Sequence, residues 1–341
     1  MSAPISLTLD EPYLLFAGDE TSVAHAKTGL GLAEWAPERC LGQCRLSADA
    51  VDFGLRDVSI AEARAAGAKS LIVGIAPDGG RLPPKWRESF RAALENGLDV
   101  VSGLHDKLND DAELRQHAEH YNKRLIDIRT PPQNIPVGSG AKRSGQRVLT
   151  VGMDCSIGKK YMALALTKEM KTRGVDVDFR ATGQTGIMIA GQGLPIDSVV
   201  SDFVAGAAEL VSPDAATEHW DIIEGQGSLF HPSYAAVTMG LVHGSQPDAM
   251  VLCHEPTRKT IMEHPNHAIP PLEEAMDLYV RLAQRNAPNT HIAAIGLNTR
   301  ALDENDALAV IAETQDRFGL PCADPLRTGV SAIVDALLEN R

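Results

Sequence analysis

The residues best equipped for chemistry form one short run, Gly152-Met153-Asp154-Cys155-Ser156-Ile157-Gly158-Lys159-Lys160. It follows an apolar stretch that reads as a strand, Arg147-Val148-Leu149-Thr150-Val151, and opens a stretch that reads as a helix over 158–173. Backbone N–H groups converge at such a helix start, where the helix dipole also favours anions. Gly152 and Gly158 allow a tight path and close approach of phosphate. Lys159 is a point charge able to reach phosphate oxygens. The run is a phosphate-binding loop with five residues between its glycines, one more than the common pattern. That pattern ends in Lys followed by Ser or Thr, whose hydroxyl ligates magnesium. Lys160 stands there instead, and an ammonium repels a cation. The loop therefore reads as a grip for a phosphorylated carrier such as coenzyme A, with Gly152, Asp154, Cys155, Ser156, Ile157, Gly158, Lys159 and Lys160 as cofactor-binding candidates. No metal is expected. Cys155 at a helix start could carry an acyl group, or simply fit a tight loop.

Polar residues also follow the other expected strands, where active groups of open α/β sheets gather. Residues 180–186 contribute Arg180 and Gln184; residues 224–232 contribute Glu224, Gln226, Ser228 and His231; residues 253–259 contribute His254, Glu255 and Arg258; residues 298–300 contribute Arg300. Glu224, His231 and His254 are the catalytic candidates. Arg180, Gln184, Gln226, Ser228, Arg258 and Arg300 are the substrate-binding candidates. Each has a plainer alternative. Glu224 can be a strand-end acid bonded to a neighbouring loop, His231 a capping residue beside Pro232, and the His254–Glu255 pair a loop brace. Arg258 and Arg300 can make ordinary salt bridges. Asp197 and Asp202 suit a helix start. Residues 263–271, with His264, His267 and three prolines, read as a surface loop able to cover a site.

The elements around these groups follow from pattern and composition. The chain has 341 residues, enough for about two domains at roughly 150 residues each. Its 45 acidic and 32 basic residues leave a formal charge of −13, which disfavours nucleic acid and anionic membrane as general partners. Five scattered cysteines do not read as a disulfide framework. There is no basic-then-apolar leader and no apolar run near about 18 residues, so a cytoplasmic location is expected. Short apolar runs alternate with amphipathic stretches, the pattern of an α/β chain with parallel sheets. Strands are expected at 13–16, 71–75, 98–101 and 125–128, with helices at 84–96 and 111–123. Residues 130–140 hold three prolines and two glycines and read as a connector. The expected division is a smaller doubly wound domain over 1–135 and a doubly wound P-loop domain over 136–341. The second has strands at 147–151, 175–180, 220–224, 249–253, 291–297 and 320–323. Its helices are expected at 158–173, 198–210, 272–286, 304–318 and 329–339.

The motifs at 152–160, 181–186 (Ala-Thr-Gly-Gln-Thr-Gly), 202–209 (Asp-Phe-Val-Ala-Gly-Ala-Ala-Glu), 224–232 (Glu-Gly-Gln-Gly-Ser-Leu-Phe-His-Pro), 254–258 (His-Glu-Pro-Thr-Arg) and 26–29 (Ala-Lys-Thr-Gly) resemble a former domain-of-unknown-function family that includes D-glutamate N-acetyltransferase. The resemblance spans nearly the whole chain. It implies a Rossmann-like domain before a P-loop domain, acetyl-CoA as co-substrate, an acidic amino acid as acceptor and a place in D-amino acid catabolism. A homo-oligomer is expected. More remotely, the P-loop half is similar to dethiobiotin synthetase, which shares the five-residue interval and the Glu-Gly strand end. The alternative is thus an ATP- and magnesium-dependent ligase or kinase, against which Lys160 argues.

Overall fold

A computed structural model describes residues 7–77 and 81–339. Contacts divide them into two units. One runs up to Pro131 and also takes Gln184–Ser198; the other holds Pro132–Gly183 and the chain from Val199 on.

The first unit contains β1 (Leu7–Thr8), β2 (Tyr13–Gly18), α1 (Lys27–Trp35), β3 (Cys40–Arg45), α2 (Ile60–Ala65), β4 (Ser70–Val73), α3 (Trp86–Glu95), β5 (Asp99–Ser102), α4 (Ala112–His120) and β6 (Leu125–Asp127). Strands β2 to β6 form a parallel sheet in the order β3-β2-β4-β5-β6. Tyr13, Leu14, Leu15 and Phe16 are fully buried because helices cover both faces of a central parallel strand. Phe16 meets Trp86 and Phe90 of α3 edge-on, with ring centroids 5.5 and 5.4 Å away.

Among the elements here that escape the sequence pattern are β3 and α1. Strand β3 reads Cys-Leu-Gly-Gln-Cys-Arg and is only half-buried, as suits a sheet edge. Helix α1 carries Gly29 and Gly31, poor helix formers. Gly29 is required by packing: a Cβ there would lie 2.3 Å from the Phe53 ring.

The second unit opens with β7 (Gln146–Gly152), α5 (Lys159–Thr172) and β8 (Val177–Arg180). The chain then forms α6 (Gln184–Ala190) and β9 (Gln192–Gly193), which belong to the first unit; β9 pairs antiparallel with β1. It continues through α7 (Val204–Val211), β10 (Trp220–Ile223), α8 (Ala235–Ser245), β11 (Ala249–His254), β12 (Thr260–Ile261), β13 (His264–Ala268), α9 (Leu272–Ala283), β14 (His291–Leu297), α10 (Glu304–Phe318), β15 (Cys322–Ala323) and α11 (Ser331–Glu339). The six expected strands form one parallel sheet ordered β15-β14-β11-β7-β10-β8. Successive strands leave β7 first on one side and then on the other. The topological switch therefore lies at the carboxyl ends of β10, β7 and β11, where open α/β sheets place their sites.

Local signals fix several boundaries. Asp303 caps α10 by accepting the Asp306 N–H at 2.9 Å, and Gly319 ends it at φ +63°. The stretch read as a surface loop is a correction: β12 and β13 form an antiparallel hairpin turning at Glu263, φ +64°.

At the amino-terminal side of this sheet lies a buried polar network. Arg147 donates to Ser212 Oγ at 2.8 Å, and Ser212 donates to Asp221 Oδ2 at 2.5 Å. Arg147 also donates to the carbonyls of Arg143, Ser144, Gly145 and Pro213. This end of the sheet is fixed by hydrogen bonds.

Candidate active site

The loop at 152–160 joins β7 to α5 and turns through Ser156 at φ +54° and Gly158 at φ +109°. Lys159 is the first residue of α5, and its side chain is folded back so that Nζ donates to the Asp154 carbonyl at 2.6 Å. Burial pushes its ammonium pKa down. Lys160 is half-buried, its ammonium 4.8 Å from the Tyr161 ring centroid.

The loop is braced from three sides. The Asp154 carboxylate is fully buried; Oδ1 accepts the Cys155 N–H at 2.7 Å, and Oδ2 accepts Arg258 Nη1 and the Met262 N–H, each at 2.8 Å. Arg258 Nη1 also donates to the Cys155 carbonyl at 2.7 Å, and Nη2 to Glu255 Oε2 at 2.5 Å. Met262 lies between β12 and β13, so the hairpin turn is tied to the loop. Tyr279 of α9 donates to the Gly152 carbonyl at 2.8 Å and accepts the Leu229 N–H at 3.3 Å. Burial holds that phenol protonated, pushing its pKa up to about 12.

Beside the loop, β10 ends at Glu224-Gly225. A Cβ on Gly225 would lie 1.7 Å from the Thr150 carbonyl oxygen, so only glycine fits against β7. Glu224 is buried, and its Oε2 accepts the N–H groups of Thr182 and Gly183 at 3.1 and 3.0 Å. Its carbonyl accepts the Thr182 hydroxyl at 2.6 Å. Gln226 Nε2 donates to Thr182 Oγ1 at 3.1 Å, and Ser228 Oγ accepts the Phe230 N–H at 3.2 Å. These contacts hold the 224–232 loop against the 181–183 loop.

His231 is 1 % exposed, with its ring 4.5 Å from Tyr234 and 5.0 Å from His264 by centroids. Burial, more than any other influence, pushes its pKa down. Nδ1 accepts the Ser233 N–H at 3.1 Å, while Nε2 is buried and has no hydrogen-bond partner among the described residues. A ring nitrogen of His231, the Cys155 thiol and the Asp154 carboxylate lie within 4.8 Å of one another. His254 ends β11; burial first, then Lys259 and Arg258, lowers its pKa to about 4, so it is neutral at pH 7.

Two expected substrate contacts, Arg180 and Arg258, are placed otherwise. Arg180 turns back along its strand, Nε donating to Asp221 Oδ1 at 2.5 Å and Nη2 lying 3.1 Å from Asp178 Oδ2, and so joins the network at the opposite side of the sheet. Arg258 is the loop brace just described. Gln184 begins α6 and belongs to the first unit. Asp197, in the same segment, pairs with Arg129 at 2.5 Å. Arg300 is exposed, with its backbone N–H on Asn298 Oδ1.

The carboxyl ends of β7, β10 and β11 thus gather donors: the Lys159 ammonium, the loop amides and the His231 N–H. Such a set suits an anion. The residues fit a phosphorylated carrier, because the buried carboxylate among them is already neutralised by Arg258.

Residues 136–334 match a family described as a domain of unknown function, the DUF1611 C-terminal P-loop domain, and residues 40–131 match its Rossmann-like N-terminal domain. The chain belongs to the DUF1611 family. It is similar to a D-glutamate N-acetyltransferase from Tritonibacter scottomollicae, 47% identical over 329 residues that cover 96% of this chain and 99% of the relative. A second D-glutamate N-acetyltransferase, from a Pseudoalteromonas species, is 45% identical over 328 residues with the same coverage. The crystal structure of a DUF1611 protein from Anabaena variabilis superposes with a TM-score of 0.85 at 34% identity, covering 97% of this chain and 100% of that one.

Within this DUF1611 site, Tyr279, Met262 and Thr182 are positioning groups that sequence reasoning missed. Tyr279 lies in an apolar helix face, Met262 acts through its backbone, and Thr182 looks like an ordinary loop hydroxyl. The only available signal was the Thr-Gly pair at 182–183, which suits an acid-binding turn.

Proposed function

We propose that this protein transfers the acetyl group of acetyl-CoA to the amine of D-glutamate. The two named relatives, similar along nearly their full length, support the reaction class and the acceptor. The structural observation that carries the reading is a phosphate loop in which Lys160 replaces the magnesium-ligating hydroxyl beside the Lys159–His231 donor set. A loop of that composition grips an anion without recruiting a divalent cation. The loop at 152–160 holds the phosphates of CoA.

The amine nitrogen attacks the thioester carbonyl carbon, the C–S bond breaks, and the proton lost from that nitrogen passes to the departing sulfur, so that CoA leaves as its thiol. The acceptor ammonium must first lose a proton. Glu224, fixed at the β10 end by two amides, takes that proton directly or through a water. His254, neutral at pH 7, faces the same edge as a second acceptor. Arg300, exposed beside Asn298, meets a carboxylate of the acceptor. No described helix is long and apolar enough to cross a membrane.

The test incubates the protein with acetyl-CoA and a panel of D- and L-amino acids while following thiol release. D-glutamate-dependent release is expected. Magnesium-dependent splitting of ATP, with acetyl-CoA untouched, overturns the reading.

A further inference from the structure

We infer that His231 is an anion-gripping hydrogen-bond donor of the loop, its Nε2–H bound to a phosphate oxygen of CoA, and not the general base that a histidine in the strand-end segment 224–232 suggests. The inference deepens the proposed function and rests on it.

The tautomer carries the argument. Nδ1 accepts the backbone N–H of Ser233 at 3.1 Å, so its lone pair is occupied. In a neutral imidazole the proton then sits on Nε2. That Nε2–H is a donor with no lone pair in the ring plane, and it cannot accept a proton from an ammonium.

Burial adds the second step. Nε2 is enclosed and has no hydrogen-bond partner among the described residues. A buried donor left without an acceptor costs about 1–3 kcal/mol, so such a group points to a ligand that completes it. The Met262 backbone also faces the ring and favours its proton, without making a hydrogen bond to Nε2. Burial keeps the imidazole neutral, the state in which this tautomer exists.

Position supplies the third. The ring reaches within 4.8 Å of Asp154 and Cys155, residues of the loop itself. The same three side chains have metal-ligand chemistry. However, the Asp154 carboxylate is engaged by Arg258 and two amides, and Lys159 adds a further positive charge nearby. A cation is disfavoured there and an anion is favoured. The pantetheine arm of CoA separates its pyrophosphate from its thioester by far more than the width of this cluster. A ring nitrogen that holds a phosphate oxygen therefore does not also reach the reacting carbonyl.

The experiment compares His231→Ala and His231→Gln with the parent protein, using acetyl-CoA and the short donor acetyl-pantetheine, which lacks the phosphates. Melting temperatures establish that both variants fold. A glutamine amide donates from nearly the place of Nε2 but cannot serve as a base. The expected result for His231→Ala is a KM for acetyl-CoA raised about tenfold or more, as befits a lost bond to a charged group. Its kcat stays within about threefold and its kinetics with acetyl-pantetheine are unchanged, while His231→Gln recovers most of the affinity. If both variants lose kcat equally with both donors, His231 is the base and the inference falls. It also falls if folded His231→Ala is kinetically unchanged. If the parent protein shows no acetyl transfer, the proposed function fails instead. Calorimetry with inorganic pyrophosphate then decides the inference by itself: weaker binding to His231→Ala supports it, and equal binding overturns it.

Discussion

Arg258 and Asp154 form an ion pair across the mouth of the phosphate loop, Nη1 to Oδ2 at 2.8 Å, with the aspartate side chain wholly buried and the arginine side chain 15 % exposed. The pair turns an arginine that looked like a substrate clamp into the clasp that joins β11, the hairpin turn and the loop. Breaking a buried pair by removing one partner leaves a charge without compensation, at about 3–5 kcal/mol. Arg258→Ala is therefore expected to lose stability of that order in a denaturant titration. Arg300→Ala, at an exposed position, is expected to change it by less than about 0.5 kcal/mol while raising the KM for D-glutamate. Equal stability of the two variants would return Arg258 to the substrate.

Gly225 meets the Thr150 carbonyl so closely that an added Cβ would sit 1.7 Å from the oxygen. Backbone cannot yield by that amount without separating β10 from β7. Gly174, by contrast, has open space around its missing Cβ and only a positive φ of +77° to strain. Gly174→Ala should cost roughly 1–2 kcal/mol, and Gly225→Ala distinctly more, with loss of CoA binding. Urea melts of the two variants make the comparison.

Glu224 is held through Oε2 by the Thr182 and Gly183 amides. A glutamine carbonyl accepts the same two bonds, so Glu224→Gln keeps the geometry and removes the proposed base. Turnover is expected to fall by about 10²–10⁴ with CoA affinity unchanged, read by single-turnover kinetics beside calorimetry. Full turnover would make the acid a brace for the neighbouring loop and nothing more.

His254 has a folded pKa of about 4 against an ordinary value of 6.5, and His231 is shifted in the same direction. Between those values the unfolded chain binds protons that the folded chain refuses, so stability rises with pH there. The contribution is complete above about pH 6.5 and drains away as pH falls toward 4, by about 3 kcal/mol for His254. His254→Gln should flatten this slope in denaturation midpoints collected from pH 7 to pH 4.5. An unchanged slope would show that His254 is not the titrating group.

How much of this was legible in the sequence depends on where each residue finds its partner. The six strands of the P-loop unit announce themselves as short runs such as Trp220-Asp221-Ile222-Ile223, because a strand covered on both faces must be apolar. Strand β3 does not, since Gln43 of Cys-Leu-Gly-Gln-Cys-Arg is buried by bonding Asp52 and the Phe53 N–H rather than by being apolar. The β12–β13 hairpin is hidden for a related reason: His264, Pro265, Asn266 and His267 leave no buried face to alternate. The site's loops could be read because chemistry follows strand ends in this topology. Their internal wiring could not: Arg180, Arg258 and Arg300 have the same charge, and only the fold decides which one meets Asp221, which meets Asp154 and which stays in solvent. Gln184 opens a helix grouped with the other unit, which in sequence looks like a continuation of the loop before it.

Lys160 occupies the place where a hydroxyl would hold magnesium, and its ammonium rests 4.8 Å from the Tyr161 ring. Charge at that position favours polyanions and opposes a divalent cation, so two opposite responses are expected from one substitution. Lys160→Thr should weaken CoA binding about threefold or more, because a half-buried ammonium near phosphates contributes at least a few tenths of a kcal/mol to about 1 kcal/mol. The same variant should gain magnesium-dependent nucleotide binding, measured by titration with ATP in the presence and absence of the ion. The parent protein should keep its acetyl transfer in excess EDTA. Loss of transfer under chelation would mean that a cation works in this loop despite the lysine, and the carrier-grip interpretation would have to be abandoned.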